Sequence, residues 1–261
     1  MSPFLLPFAF LFIVYVAMVV ANERWGLFRI DNFTRSAKVV AYVWLAMLLF
    51  FLGFLVVGAS LRQPTAGELA KLPFYSLFTL HWILLIFLAG WWLLAKRPPL
   101  GAFFNFQPKG NGEAVMTGFA VGVGGWILTI LFAIALGAIL TSTGLMSKPP
   151  KPSPMIGWMA ALPIWKKALV VFSAMTVEEL FFRGWLQKRV GVIASTLLFA
   201  LAHAGFGQPL LLVGVGVISL VIGFTFYRTK NILPGIIAHG VFDAVQLFVI
   251  IPFFFKIAGL S

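Results

Sequence analysis

The sequence predicts an all-α fold, a polytopic transmembrane helical bundle of about eight spans. Three observations carry that expectation. The 261 residues are 61% hydrophobic and 10% charged, where a soluble domain carries roughly 25% charged residues. Mean hydropathy is +1.03, and apolar runs long enough to cross a bilayer as helix recur along nearly the whole chain. The runs are solidly apolar and do not alternate, which excludes a transmembrane β-barrel.

The elements follow in order. Residues 4–21 read as a retained first span, because no basic segment precedes them and the run is too long for a cleaved signal peptide. Further spans are expected near 39–59, 74–95 and 115–140. The proline-rich SKPPKPSPM (147–155) cannot be helical throughout and reads as a connecting loop. It divides an N-terminal unit (1–146), to which the sequence assigns no role, from a C-terminal unit (156–257). In that second unit spans are expected near 163–187, 191–204, 209–227 and 232–257. The run 191–204 is short, since about 14 residues of helix reach only about 21 Å.

The net charge of +12 does not form a nucleic-acid patch, and no basic–aromatic motif accompanies it. The basic residues lie in short loops, as topology signals and headgroup contacts do. Arg24, Arg29, Arg35, Lys38, Lys96, Arg97, Lys109, Lys188, Arg189, Arg228 and Lys230 fall at one end of the predicted bundle. Arg62, Lys71, Lys148, Lys151, Lys166, Lys167 and Lys256 fall at the other. The bias puts the first end in the cytoplasm and both termini outside, in a multi-pass protein of the plasma (inner) membrane. The partners expected are the lipid bilayer and a membrane-anchored protein or peptide, with no nucleic acid. The absence of cysteine removes disulfides, thiolate metal sites and a thiol nucleophile.

Ionisable groups inside an apolar span are costly and by default functional. The C-terminal unit holds Glu178, Glu179, Arg183, His203, His239 and Asp243, in the patterns EELFFR, FALAH and HGVFD. In an α-helix Glu179 and Arg183 share a face, as do His239 and Asp243, while Glu178 is turned by roughly 100°. At about 1.5 Å per residue, Glu178, His203 and His239 lie roughly 15, 21 and 14 Å from the basic end, so they can reach a common layer. His81, in FTLHWILL, lacks polar company and is expected to be a packing or interface residue. Trp91 and Trp92 read as an interfacial belt, and Gly122, Gly124 and Gly125 as sites of close helix packing.

Two carboxylates with two imidazoles suit peptide hydrolysis by activated water, one group taking the proton and another donating to the oxyanion. The same groups leave a divalent metal open as cofactor. No HExxH pair is present and no three-histidine set falls in one layer, which argues against tightly bound zinc. A proton- or cation-coupled transporter is the alternative from another class. The confinement of polar groups to one half disfavours it, because transporters often repeat broken helices in both halves.

EELFFR, FALAH and HGVFD, in this order on successive spans, resemble the three motifs of the CPBP family. These are the CAAX-prenyl-endopeptidase and bacteriocin-processing-type intramembrane proteases, also called the Abi family. The resemblance covers roughly residues 160–250 and implies an all-helical membrane protease. It implies that Glu178 is the water-activating base, that His203 helps to hold the water and that His239 stabilises the oxyanion. Glu179 and Arg183 match the family's supporting Glu and Arg. Many members have Asn where this chain has Asp243. An ionised Asp accepts hydrogen bonds but cannot donate them, so Asp243 is expected to orient His239. Prenylated CAAX proteins, bacteriocin leaders and membrane-anchored sorting tails are all substrates compatible with the resemblance. A non-catalytic immunity or scaffold protein on the same fold is the remaining alternative.

Overall fold

The computed structural model describes residues 5–28, 31, 33–107, 110–147 and 152–257. Arg29, Lys109, Lys148 and Lys151, used above for orientation, lie outside the described residues, as does most of the PPKP stretch. Among the described residues the chain is helical, and seven helices are long and apolar enough to cross a membrane. In order, the helices are α1 (Leu5–Trp25), α2 (Arg35–Leu61), α3 (Ala66–Lys71), α4 (Thr79–Leu94), α5 (Leu100–Phe104) and α6 (Asn111–Ser142). Beyond the connecting loop come α7 (Pro154–Ala160), α8 (Ile164–Ser173), α9 (Lys188–Ala202), α10 (Pro209–Thr229), α11 (Leu233–Ala244) and α12 (Ile251–Ile257).

Seven spans appear where about eight were expected because Ile164–Phe206 is one continuous helical run. It nevertheless has two legs. Gly191 breaks the helix with φ 80° and ψ 176°, a backbone that only glycine adopts at little cost. The chain doubles back there: Ser195 Oγ donates to the Phe182 carbonyl at 2.9 Å, and Phe182 meets Phe199 edge-on at 4.8 Å. One face of the short second leg, with Ser195, Thr196 and Phe199, packs into the bundle, while Ile193, Leu197, Leu198 and Leu201 on the other face are exposed.

The first leg is not α-helical throughout. After α8 the chain winds as π-helix over Ala174–Glu178 and Leu180–Gln187. A π turn closes i→i+5 bonds and holds more residues than an α turn. Successive side chains therefore diverge by less than the roughly 100° of an α-helix. Glu178 and Glu179, expected to point apart, are both buried in the bundle.

In lipid there is no hydrophobic gain in pressing apolar helices together, so close packing and interhelical hydrogen bonds must hold the bundle. Aromatic packing joins the N-terminal helices to the π segment: Phe87 and Trp91 of α4 lie 4.8 and 4.9 Å from the Trp185 ring. Trp91 is thus fully buried, a core residue under the Arg189 guanidinium at 5.3 Å and not part of an interfacial belt. Trp92 donates Nε1–H to the Pro98 carbonyl at 2.8 Å.

Glycine sets the approach of α6 to α11. A Cβ at Gly122 would stand 2.8 Å from Val241 Cβ and 2.9 Å from the Ala238 carbonyl oxygen, while one at Gly125 would meet Ile218 at 2.5 Å. Gly124, expected to share this role, has nothing within 4 Å; it points away from the contact. At the basic end the 103–107 turn joins two later helices. Lys188, opening α9, donates to the Phe103 carbonyl and to Asn105 Oδ1. The Ile232 amide, just before α11, donates to the Asn105 carbonyl at 3.0 Å.

Candidate active site

The π segment delivers two adjacent carboxylates to one imidazole. Glu179 Oε1 lies 2.9 Å from His239 Nδ1, and Glu178 Oε2 lies 3.9 Å from His239 Nε2. Asp243, one α-helical turn beyond His239, brings Oδ2 to 3.3 Å from the same Nε2. Both ring nitrogens of His239 therefore face carboxylates. Carboxylates accept and do not donate, so both contacts are satisfied only when each nitrogen carries a proton.

Glu179 and Arg183 form a fully buried ion pair at 2.9 Å. Arg183 also donates Nη2–H to the Ser219 carbonyl at 3.1 Å and to its hydroxyl at 3.0 Å. One turn along, Gln187 Nε2 donates to the Gly223 carbonyl at 2.7 Å. These two rungs fasten the π segment to α10. Gly235 lets α11 come close, since a Cβ there would stand 3.1 Å from Glu179 Oε2.

His203 closes α9. Its Nδ1 lies 2.9 Å from the Phe199 carbonyl oxygen, an acceptor only, so Nδ1 carries the proton and Nε2 is left to accept. Phe199 stands between the two histidines, 4.8 Å from His203 and 5.7 Å from His239 by ring centroids. His203, His239, Asp243 and Ser219 share the lining of a cavity of about 30 Å³ with Phe199 and Phe242, room for one or two waters. Glu178 does not line it; the carboxylate stands behind His239 Nε2.

His81 departs from expectation. It is buried, with Nε2 3.2 Å from Glu178 Oε1 and Nδ1 2.7 Å from Ser173 Oγ. Its polar company comes from residues 92 and 97 positions away in sequence, which a local reading cannot see. Among the described residues, no group of three or more His, Asp or Glu is arranged to hold a metal ion.

All six residues singled out from the sequence lie within 160–245, and those residues match the model of the Rce1-like family, type II CAAX prenyl endopeptidase. Over those 86 residues, about a third of the chain, the protein is similar to an Rce1-like domain. The Bacillus subtilis protein YpbD, uncharacterized, is 36% identical over 69 residues, covering 26% of this chain and 36% of YpbD. The UPF0177 protein YxdF of Lactococcus lactis is 28% identical over 134 residues, covering 47% of this chain and 73% of YxdF. The chain thus spans little more than a third of YpbD. No solved structure matches the chain.

Besides His81 and Ser173, the sequence reading missed Ser219 and Gln187. Gln187 had a signal, since it follows Arg183 by four residues on a segment already suspected. Ser219 had none beyond being a hydroxyl in an apolar run. The Rce1-like match ends short of α4, so His81 is supplied from outside the matched domain.

Proposed function

We propose that the chain is an intramembrane endopeptidase that hydrolyses a peptide bond of a membrane-associated protein or peptide with water activated by Glu178. The observation that carries this reading is the space at Glu178 Oε2. That atom is buried, makes no hydrogen bond among the described residues and faces His239 Nε2 across 3.9 Å. Such a gap is too wide for a direct hydrogen bond and suits a bridging water. The family match over the same residues supports peptide hydrolysis as the class of reaction.

In this mechanism Glu178 takes a proton from water while His203 Nε2 accepts its second hydrogen and holds it. The hydroxide adds to the scissile carbonyl, and the oxyanion accepts the His239 Nε2–H. Glu178 then returns the proton to the amide nitrogen as the C–N bond breaks. Glu179 fixes the far side of His239, Arg183 holds Glu179, and Asp243 orients the ring from its exposed side. The substrate reaches the site from the basic end, the cytoplasmic face by the loop bias.

The test compares purified wild type with Glu178→Gln, both in lipid nanodiscs, against membrane-anchored candidate substrates. Loss of a general base lowers turnover by roughly 100-fold or more. Equal cleavage by the two proteins would remove Glu178 as the base.

A further inference from the structure

We propose that His81, backed by Ser173, is a positioning residue for Glu178, contributed to the site by the N-terminal helices. The inference rests on the reading of Glu178 as base and adds a residue outside the matched family domain.

The geometry is a relay of three groups. An ionised Glu178 is acceptor-only, so His81 Nε2 is the donor across the 3.2 Å contact. With neutral His81, Nδ1 is an acceptor, and the Ser173 hydroxyl donates to it at 2.7 Å. Ser173 thereby fixes the tautomer and the ring plane, and His81 fixes one oxygen of the carboxylate. Oε1 is committed to His81, which leaves Oε2 as the oxygen facing His239 and available to a water. Without His81 the carboxyl is free to rotate about its last torsion and exchange its two oxygens.

Position and packing agree with this role. His81 does not line the cavity beside His203 and His239, and its two ring nitrogens are engaged by Glu178 and Ser173. Its helix is held against the π segment by the Phe87–Trp185 and Trp91–Trp185 contacts, which keep α4 at hydrogen-bonding distance. Both ring nitrogens have side-chain partners, one of them the carboxylate of Glu178.

The probe is a farnesylated CAAX-type peptide bearing a fluorophore and quencher, with its unprenylated twin, presented to full-length protein in nanodiscs. His81→Phe keeps the ring and removes the donor. It is expected to lower kcat roughly 10- to 100-fold with KM unchanged, the weight of a hydrogen bond to a charged group. His81→Gln places an amide N–H near the Nε2 position and is expected to recover most of that loss. Ser173→Ala should cost only about 2- to 10-fold, as for a neutral hydrogen bond.

Infrared difference spectra against Glu178→Gln identify the Glu178 carboxyl band without substrate. That band is expected to shift in His81→Phe and to return towards its original position in His81→Gln. An unmoved band, or His81→Phe turnover within twofold of wild type while Glu178→Gln is inactive, overturns this inference alone. Ser173→Ala abolishing cleavage also overturns it, because Ser173 would then be acting as nucleophile. Full activity in Glu178→Gln instead removes the underlying reading. If wild type cleaves neither peptide, the infrared result decides.

Discussion

Replacing Arg183 with Met separates the electrostatic support of the site from its chemistry. Arg183 is 1% exposed and Glu179 0%, and the guanidinium is shared between Glu179 at 2.9 Å and Ser219 at 3.0 and 3.1 Å. Met fills much of the same volume, so the perturbation is loss of charge and donors with little cavity. Removing one partner of a buried pair costs about 3–5 kcal/mol, because the other charge is left uncompensated. At about 1.4 kcal/mol per factor of ten, the unfolding equilibrium should shift by roughly two to nearly four powers of ten. His239 still bonds Glu179 Oε1, which places the expected effect towards the lower end. Arg183→Lys keeps the charge but cannot fork between Glu179 and Ser219, so it should fall between the two. The assay is reversible unfolding of the full chain in mixed micelles, with Glu179→Gln and the double variant completing a cycle. The double variant should regain part of the stability, since no unpaired carboxylate remains, and should not regain activity. Wild-type stability in Arg183→Met, or simple additivity in the cycle, would refute the reasoning.

The contact between α6 and α11 gives a steric prediction: Gly122→Val must displace Val241 or the Ala238 carbonyl, and overpacking of that kind costs about 1–3 kcal/mol. Because Ala238 precedes His239, activity should fall with stability, whereas Gly124→Val, facing open space, should leave thermal unfolding in nanodiscs unchanged. Asp243→Asn keeps an acceptor for His239 Nε2 and adds a donor, so peptide cleavage should persist within about tenfold, while His239→Ala should lose roughly 100-fold or more; the opposite ranking in the same assay would assign the oxyanion role to position 243.

What could be read from the sequence was whatever the bilayer makes expensive. Glu178, Glu179, Arg183, His203, His239 and Asp243 stood out because an ionisable group in an apolar span needs a reason, and the span limits followed from apolar run length. His81 met the same criterion, yet it was discounted for having no polar neighbour along its own helix. Its partners are Glu178 and Ser173, and a contact across 92 or 97 residues leaves no local periodicity. The π winding was equally hidden, since hydropathy does not distinguish an i→i+4 turn from an i→i+5 turn. That winding brings Glu178 and Glu179 to the same imidazole. Trp91 misled for a related reason: the belt rule responds to depth, and depth does not say whether a side chain faces lipid or a neighbouring helix.

The charge count explains why the cluster needs a contribution from α4. With Glu178, Glu179 and Asp243 ionised, the opposing charges are Arg183 and a doubly protonated His239, which leaves one negative charge over. Glu179 is neutralised by direct contact with Arg183, and Asp243 is partly exposed to solvent at the mouth of the site. The excess therefore resides on Glu178, buried and without a full ionic partner of its own. A carboxylate in that position is costly to bury unless it is hydrogen-bonded. The His81 N–H spreads the charge without cancelling it. A lysine or arginine at position 81 would set a full charge against Glu178; a phenylalanine would leave it unsupported. An imidazole that contacts Glu178 and Ser173 through its two nitrogens meets that need, and this gives a histidine on an otherwise apolar N-terminal span its physical reason.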